Sequence, residues 1–264
     1  MKVVHGIDSL DSSIGRIFVV VGVFDGLHLG HLYLLDELRR AAADHGAKPV
    51  VITFDHHPDE ILTGAAPPLL CDPQERLLRL AAAGVEATVV ATFDVALRMT
   101  PYDAFVRAIA ERVDLAGFVM TPESAFGHDR LGTPETVAAL GRDVGFAVEV
   151  VPPLLVDGRP VSSGEIRRAI AEGQLAVAER LLGRPYAVTG TVADGGSVQF
   201  AMPVALPPLG TYSVLLTPAE GRGSPTGDGW LDLEPDGSVH VHDSALRVGS
   251  VDRLRIVFRD SSVA

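Results

Sequence analysis

The chain has 264 residues, enough for one large domain or two modest ones with a core each. Its formal net charge of −12 argues against nucleic acid or an anionic membrane surface as a partner, but it leaves open a small anionic substrate. The single cysteine, Cys71, excludes a disulfide framework and a thiolate metal cage. No apolar run reaches the length of a membrane span and the N-terminus lacks a signal-peptide pattern, so we expect a cytoplasmic protein.

Up to about residue 184, short apolar runs alternate with helical patterns. The first predicted strand, Ile17–Val23, leads into a helix near Leu29–Ala43. Strands follow at Pro49–Phe54, Ala87–Ala91, Gly117–Thr121 and Ala147–Val151, and helices at Pro73–Ala83, Pro101–Arg112 and Pro134–Val144. This alternation implies a parallel sheet with right-handed crossovers, and the continuous apolar strands imply helices on both faces. We therefore predict an α/β domain over residues 1–184.

After residue 184 the helical periodicity disappears. Glu220–Gly229 is typical of an exposed loop, and Pro235–Ser238 of a hairpin turn. The strand-like runs are Tyr186–Val192, Tyr212–Thr217, Trp230–Leu233, Val239–His242 and Leu254–Phe258. We predict a small all-β, barrel-like domain over residues 185–264.

The segment from Gly22 to His31 carries the strongest functional signal, because it joins the first strand to the first helix. A helix start at the carboxyl end of a parallel strand presents free amides to an anion, and His28 and His31 are spaced to donate to one phosphate. A P-loop, a dinucleotide fingerprint and a complete metal site do not fit the segment. The other candidate phosphate-binding residues are Gly22, Phe24, Asp25, Gly26 and Gly30.

A second segment, Val161–Arg168, opens a later helix. Ser162 and Glu165 have capping-box spacing, so a purely structural role as a helix cap would explain the serine. Cations early in a helix oppose its dipole unless an anion binds there, so Ser162, Ser163 and Arg167 are also candidates for binding a polyphosphate. The spacing leaves both interpretations open.

Together, these two segments resemble the HxGH and SSTxIR-type motifs of the cytidylyltransferase-like nucleotidyltransferases. Over residues 16–192 the sequence resembles the adenylyltransferase half of the bacterial bifunctional riboflavin kinase/FMN adenylyltransferase (FAD synthetase) family. Val51–Pro58 is similar to the family's TFDPHP segment, with His56 in place of a proline, and Phe126-Gly127 lies in its flavin-side loop. Further similarity covers Val150–Ser163, the junction at Ala178–Tyr186 and, more weakly, Gly210–Tyr212.

The resemblance implies a Rossmann-like nucleotidyltransferase domain that joins the FMN phosphate to the α-phosphorus of ATP, with Mg²⁺ and without a covalent intermediate. It assigns His28 and His31 to the transferring phosphate. It assigns Ser162, Ser163 and Arg167 to the β- and γ-phosphates. The candidates near the acceptor are Asp55, His57, Glu123 and Phe126, of which Asp55 and His57 fit a turn equally well. The sequence specifies no protein metal ligands and no oligomeric state.

Three departures from the family pattern affect these expectations. Gly164 replaces a threonine, and Ser124 replaces the first aromatic residue of the flavin-side loop. Pro203–Leu206 stands where the kinase half has a PTAN segment, but without its threonine and asparagine. We therefore expect the β domain to keep a kinase-like shape without kinase activity. A different phosphorylated acceptor or nucleotide, and a non-catalytic flavin or nucleotide sensor, remain alternatives.

Overall fold

The computed structural model describes residues 1–193, 195–219, 227–243 and 252–259. The chain divides into two compact units. The first unit contains residues 1–67 and 73–160, and the second contains residues 68–72 and 161–264. The predicted boundary at residues 184 and 185 falls where helices give way to strands, whereas the second unit also includes two helices before that point. A domain boundary at that position therefore stays a prediction.

The first unit is built on a six-stranded sheet in which every pairing is parallel. Its strands are β1 (Lys2–His5), β2 (Arg16–Val21), β3 (Lys48–Phe54), β4 (Ala87–Ala91), β5 (Asp114–Met120) and β6 (Ala147–Val150). The spatial order is β1-β4-β3-β2-β5-β6. The chain thus moves outward from β2 through β3 to β4 and then returns to β5 on the other side of β2. Ligands of open parallel sheets bind at such a reversal, outside the carboxyl ends of the strands.

Helices cover both faces of this sheet, as the apolar strands predict. Phe18 and Val20 of β2 pack into a core with Leu35 and Leu38, whereas Ile17 of the same strand faces the opposite core. Alternate side chains of one strand thus enter different cores, because successive side chains of a strand point to opposite faces. The helices are α1 (Leu29–Asp44), α2 (Pro58–Thr63), α3 (Pro73–Ala82), α4 (Val95–Met99), α5 (Tyr102–Ala110) and α6 (Pro134–Val144).

The predicted elements of this unit are all present, with ends shifted by up to three residues. Strand β1 and the short helices α2 and α4 were missed. Strand β1 is an exposed edge with one buried side chain, Val4, so it has no apolar pattern and depends on its backbone pairing with β4. The two helices are shorter than the windows from which helical periodicity can be read.

The second unit contains a six-stranded sheet whose pairings are all antiparallel. A bridge between Ser197 and His240 joins its two outer strands, so the sheet is nearly closed into the predicted barrel. The preceding elements are the pair β7 (Leu155–Val156) and β8 (Arg159–Pro160) in the first unit, and the helices α7 (Ser163–Ala171) and α8 (Leu175–Leu182) in the second. The barrel strands are β9 (Ala187–Val192), β10 (Val198–Gln199), β11 (Gly210–Pro218), β12 (Gly227–Leu233), β13 (Val239–Asp243) and β14 (Asp252–Phe258).

The turn between β12 and β13 is confirmed, since the Gly237 amide donates to Glu234 and the Ser238 amide to the Asp236 carboxylate. The predicted loop at Glu220–Gly229 is wrong at its end, because residues 227–229 begin β12. These residues are held there by pairing with β11 and β13, which a composition rich in glycine does not reveal. Residues 220–226 lie outside the described residues. The two-residue strand β10 was also missed.

Candidate active site

The turn that follows β2 has an unusual backbone. Phe24 and Leu27 adopt positive φ angles of 54° and 36°, and Gly26 has a φ of 77°. A side chain in this conformation costs roughly 1–2 kcal/mol, so the surroundings must hold it there. Phe24 and Leu27 are 2% and 1% exposed and belong to the core beneath α1. Their packing therefore stabilises a turn that delivers the chain from the strand to the start of α1.

His28 is the residue that caps α1. Its Nδ1 accepts a hydrogen bond from the backbone amide of His31 at 3.2 Å, and the side chain is almost completely buried. A ring nitrogen that accepts from an amide carries no proton, so the ring proton lies on Nε2. Sequence reasoning assigned a phosphate-binding role to His28. The capping contact adds a second role, because it also fixes which nitrogen can donate.

His31 lies one helical turn further along. Its ring stacks on His28 with centroids 3.7 Å apart, and the Phe24 ring lies 5.0 Å from it. Burial, and to a smaller extent the neighbouring His28, holds the pKa of His31 well below its usual range. The His31 Nδ1 atom is buried and has no hydrogen-bond partner among the described residues. In the tautomer that carries its proton on this atom, the unused buried nitrogen is a donor that a bound anion could satisfy.

The amides at the start of α1 reinforce this arrangement. The amide of His31 is used by His28 Nδ1 and that of Leu32 by the His28 carbonyl. Within the described ranges, the amides of Leu29 and Gly30 have no acceptor in the protein, as is typical of the first turn of a helix. These donors and the helix dipole favour an anion at this position.

A cavity of about 660 Å³ opens beside the turn, within the size range of small-molecule sites. Residues after β2, β3 and β5 line it, as expected at the reversal in strand order. Three of the four acceptor-side candidates, His57, Glu123 and Phe126, are among the lining residues, and Gly22 is another. The cavity wall also contains Phe54, Phe93 and Phe105.

The fourth acceptor-side candidate, Asp55, is not part of that lining. Its Oδ1 accepts from the backbone amides of His56 at 2.8 Å and Phe93 at 3.1 Å. Burial, the largest influence, raises the pKa of Asp55, but hydrogen bonds from Thr92, Phe93 and His56 outweigh it and leave the pKa below its ordinary value. Asp55 thus joins the loop after β3 to the loop after β4. These are the contacts of a turn residue.

His57 repeats the local geometry of His28 one strand away. It caps α2, and its Nδ1 accepts from the amide of Asp59 at 3.2 Å. Its ring proton therefore lies on Nε2, by the same reasoning as for His28. Two capping histidines thus follow the adjacent strands β2 and β3.

The loop after β5 explains what Ser124 does in place of an aromatic residue. The Ser124 hydroxyl accepts from the Thr121 amide at 2.9 Å and hydrogen-bonds the Thr121 hydroxyl at 2.9 Å. Two further residues of this loop, Asp129 and Arg130, have positive φ angles of 54° and 56°, and backbone bonds between Phe126 and Gly132 close it. Ser124 therefore stabilises the turn, and the aromatic surface of the cavity comes from Phe126 of the same loop and from phenylalanines elsewhere in the chain.

Two of those aromatic residues were missed by sequence reasoning. Phe93 lies in the loop after β4 and makes an edge-to-face contact with Phe54 at 5.2 Å. Phe105 follows the apolar spacing of α5, which indicates a core position, and its ring lies 5.4 Å from that of Phe126. A third missed residue is Arg76 of α3, a buried cation that donates to two backbone carbonyls near the cavity. No local pattern distinguishes it from a surface arginine.

The second motif lies in the second unit. Ser162 caps α7, and its Oγ accepts from the Glu165 amide at 3.2 Å, so the capping interpretation is confirmed. Arg167 donates from Nε to the Pro68 carbonyl at 2.8 Å. A side chain added at Gly164 would meet only the Ser162 Oγ, at 4.0 Å. The start of α7 therefore has room for the threonine of the family motif.

The segment that replaces the PTAN sequence is held by its backbone. The Leu69 amide donates to Pro203, the Ala205 amide donates to Leu69, and the Tyr186 hydroxyl donates to the Ala205 carbonyl. Ala205 is 4% exposed. The segment is thus ordered in the barrel unit with alkyl side chains where the family resemblance leads one to expect polar ones.

The described residues contain no group of three histidine, cysteine or carboxylate side chains that could hold a metal. This does not conflict with a magnesium-dependent reaction, because Mg²⁺ commonly keeps its waters and binds through substrate phosphates. We therefore treat the ion as part of the nucleotide substrate. None of the helices in the described ranges is long and apolar enough to span a membrane.

A parallel sheet with paired histidines at the helix start after β2 fits a nucleotidyltransferase of Rossmann-like fold, and sequence comparison places the chain in that class. The chain belongs to the FAD synthetase family, whose model matches residues 11–165. It is 30% identical to the bifunctional riboflavin kinase/FMN adenylyltransferase of Pseudomonas fluorescens in an alignment 267 positions long, which covers 93% of this chain and 84% of that protein. The Haemophilus influenzae protein of the same name is 29% identical over 75% of this chain and 65% of its own length.

A solved structure supports the fold independently. The crystal structure of a macrolide-efflux protein from Streptococcus pneumoniae superimposes with a TM-score of 0.83 and covers 98% of this chain and 90% of that one. Sequence identity is 21%, so this similarity concerns the fold alone. The predicted fold class and the predicted family are both confirmed.

Proposed function

We propose that the protein is an FMN adenylyltransferase, which transfers AMP from ATP to the phosphate of FMN and releases pyrophosphate. One observation carries the proposal: the buried Nδ1 of His31, which has no hydrogen-bond partner among the described residues, lies in the first turn of α1, and Gly22 and Val23, which precede that helix, line an aromatic cavity. Family membership, and the name of the relatives, supply the reaction class.

In this reaction an FMN phosphate oxygen attacks the α-phosphorus of ATP. The new P–O bond forms as the bond from the α-phosphorus to the bridging oxygen breaks, and pyrophosphate leaves with that electron pair. Mg²⁺ enters with ATP and neutralises charge on the phosphates. His28 and His31 donate hydrogen bonds to the transferring phosphate, and their effect is largest in the transition state, where negative charge develops.

We assign the β- and γ-phosphates to Ser162, Ser163 and Arg167. Support comes from the similarity of this segment to the family motif and from its position at the start of α7. Gly22, Gly26 and Gly30 are assigned to close approach of the phosphates, with Phe24 and Asp25 holding the turn. Catalysis then depends on positioning and on charge stabilisation, without a covalent step.

The cavity is assigned to the flavin ring of FMN. Its volume suits a planar tricyclic ligand, and four phenylalanines line it: Phe54, Phe93, Phe105 and Phe126. Aromatic faces in offset or edge-on contact with a flat ring add about 0.5–1.5 kcal/mol each beyond simple burial. His57 and Glu123 supply polar groups at the same cavity. A different acceptor stays a second candidate, because Ser124 is committed to its turn and supplies no ring.

The direct experiment is incubation of the purified protein with MgATP and FMN, with FAD measured by chromatography and pyrophosphate by a coupled assay. We expect both products in equal amounts, and none without FMN. His45→Ala is the matched control for His28→Ala, since His45 caps the opposite end of α1 and contacts Glu149 instead. Turnover of another phosphorylated acceptor but not of FMN would favour the second candidate. Binding of both ligands without pyrophosphate release would favour the sensor.

We also propose that the barrel unit has no riboflavin kinase activity. The supporting observation is the alkyl character of Val204, Ala205 and Leu206 in the segment that replaces PTAN, with Ala205 buried. Removal of a threonine and an asparagine leaves no side-chain oxygen there for Mg²⁺ or phosphate. Formation of FMN from riboflavin and ATP by the purified protein would refute this.

A further inference from the structure

Arg76 makes contacts that the reaction described above does not use. It lies in the first turn of α3 and is 7% exposed. Its Nη1 donates to the Val23 carbonyl at 3.0 Å, and its Nη2 donates to the Phe54 carbonyl at 2.7 Å. The two carbonyls lie at the carboxyl ends of neighbouring parallel strands, β2 and β3, and both residues line the cavity.

The Val23 carbonyl receives a second donor. The hydroxyl of Thr53, a fully buried residue of β3, donates to it at 3.0 Å. A carbonyl oxygen has two lone pairs, so Thr53 and Arg76 together saturate this acceptor and fix its direction. The next residue along the chain is Phe24, whose φ of 54° begins the left-handed turn. The two donors thus act at the point where the chain leaves the strand.

The position of Phe24 in turn affects the two histidines. The Phe24 ring lies 5.0 Å from the His31 ring, which stacks on His28. We propose that Arg76 is a positioning residue, which holds the Val23 and Phe54 carbonyls and thereby sets the turn that aims His28 and His31 at the transferring phosphate. This inference rests on the proposed function. The role assigned to Arg76 here is its contact with the two carbonyls.

Arginine is required by the geometry. Its planar guanidinium presents two terminal nitrogens in a rigid fork, one for each carbonyl, whereas lysine offers a single ammonium on a flexible stem. Arg76→Lys therefore keeps the buried charge but loses the link between the Val23 and Phe54 carbonyls. A role in charge alone predicts that lysine restores function, and a positioning role predicts that it does not.

The test compares Arg76→Lys and Arg76→Met with Arg79→Met, a matched control from the next turn of the same helix. Arg79 pairs with Glu75 and makes no hydrogen bond to the turn among the described residues. We expect kcat for FAD formation to fall by roughly 10²-fold in both Arg76 variants, because a displacement of about 1 Å at a reacting group has that effect. KM for ATP and for FMN should change by less than about threefold, since ground-state contacts are kept. Arg79→Met should retain wild-type kcat.

Histidine NMR gives a readout that does not need turnover. The Phe24 ring shifts the proton resonances of His31, so a displaced turn in Arg76→Lys moves these resonances while those of His45, at the other end of α1, stay in place. Thr53→Val removes only one of the two donors to the Val23 carbonyl, and it replaces the Arg76 variants in this test if both of them fail to fold. The His31 resonances should move there too, with a smaller fall in kcat.

Two results would overturn the inference. One is a kcat near the wild-type value in folded Arg76→Lys with unmoved His31 resonances. The other is that the Arg76 and Thr53 variants differ from the wild type only in a lower melting temperature, which still lies well above the assay temperature. If the wild-type protein makes no FAD, the proposed function fails, whereas the His31 resonances still test whether Arg76 sets the turn.

Discussion

The rings of His28 and His31 are stacked with their centroids 3.7 Å apart and their planes at 17°. Two imidazolium ions would repel at this distance, and the low pKa of His31, caused first by burial and second by His28, keeps that ring neutral. His28 is held in one tautomer by the amide of His31. A bound phosphate would therefore meet two neutral donors that are already oriented, so little reorganisation is needed as charge develops.

His28→Asn separates the capping role of His28 from its role as a donor. Asparagine is among the best helix caps, so the variant keeps the cap and loses only the buried ring, and its melting temperature should fall less than that of His28→Ala. It lacks the Nε2–H donor, and kcat for FAD formation should fall by about 10²–10³-fold, the usual effect of losing one such hydrogen bond. His28→Ala should lose both the cap and the Nε2–H donor, and loss of the cap lowers the free energy of unfolding by roughly 1 kcal/mol. Wild-type kcat in His28→Asn would show that the histidine serves only as a cap.

His31 makes the stability of the protein depend on pH. Its pKa is lowered in the folded state, so between that value and about 6.5 the unfolded chain binds a proton that the folded chain does not. The free energy of unfolding therefore falls on acidification below about pH 6.5, by at most about 1.4 kcal/mol per pH unit from this group. The loss ends once the pH passes below the folded pKa.

Urea denaturation of the wild type and of His31→Gln at pH 7.5 and 5.5 measures this contribution. Carboxylates titrate in both proteins, so the difference between them isolates His31. We expect the wild type to lose more stability than the variant over this interval. An equal loss in both would mean that the His31 ring is protonated as easily in the folded state as in the unfolded one.

Gly164→Thr tests the missing hydroxyl of the second motif. The position has a negative φ and open space, so the side chain fits without strain. We expect KM for ATP to fall, by up to about tenfold for one hydrogen bond to a charged phosphate. Gly164→Ala is the control, because it gives the helix a similar gain of about 0.5–1 kcal/mol without a hydroxyl. Equal kinetics in the two variants would remove residue 164 from the phosphate site.

Phe93→Leu tests the assignment of the cavity to the flavin. The loss of one aromatic face should raise KM for FMN by roughly tenfold, equivalent to about 1.4 kcal/mol, with KM for ATP unchanged. Quenching of FMN fluorescence on binding provides a check that does not depend on turnover. Phe200→Leu, in the second unit, is the control. Unchanged FMN affinity in Phe93→Leu would place the flavin elsewhere.

Much of the site could be predicted because its residues are neighbours in sequence. The run from Gly22 to His31 joins a buried strand to a helix, and glycine and histidine at those positions are meaningful without knowledge of the rest of the chain. The capping role of Ser162 was one of two interpretations that its spacing to Glu165 left open, and the structure shows the cap. The roles of His28 and His31 in catalysis stay predictions until they are measured.

Other parts of the site depend on which strands are neighbours in space. Arg76 and Phe93 follow no local pattern. Arg76 meets the Val23 and Phe54 carbonyls, and Phe93 lines the cavity, only because β3 lies between β2 and β4. Asp55 fitted a ligand and a turn equally well, and the amide of Phe93, distant in sequence, decided which contacts it makes.

The sequence by itself determined the alternation of strands and helices, the covered parallel sheet, the β-rich second half and the family, because these depend on apolar periodicity and on contiguous motifs. Only the tertiary structure decided the strand order, the buried nitrogen of His31 and the two carbonyls held by Arg76. The physical reason is that burial and hydrogen-bond direction are properties of neighbours in space, and a periodic pattern records only which face a side chain takes.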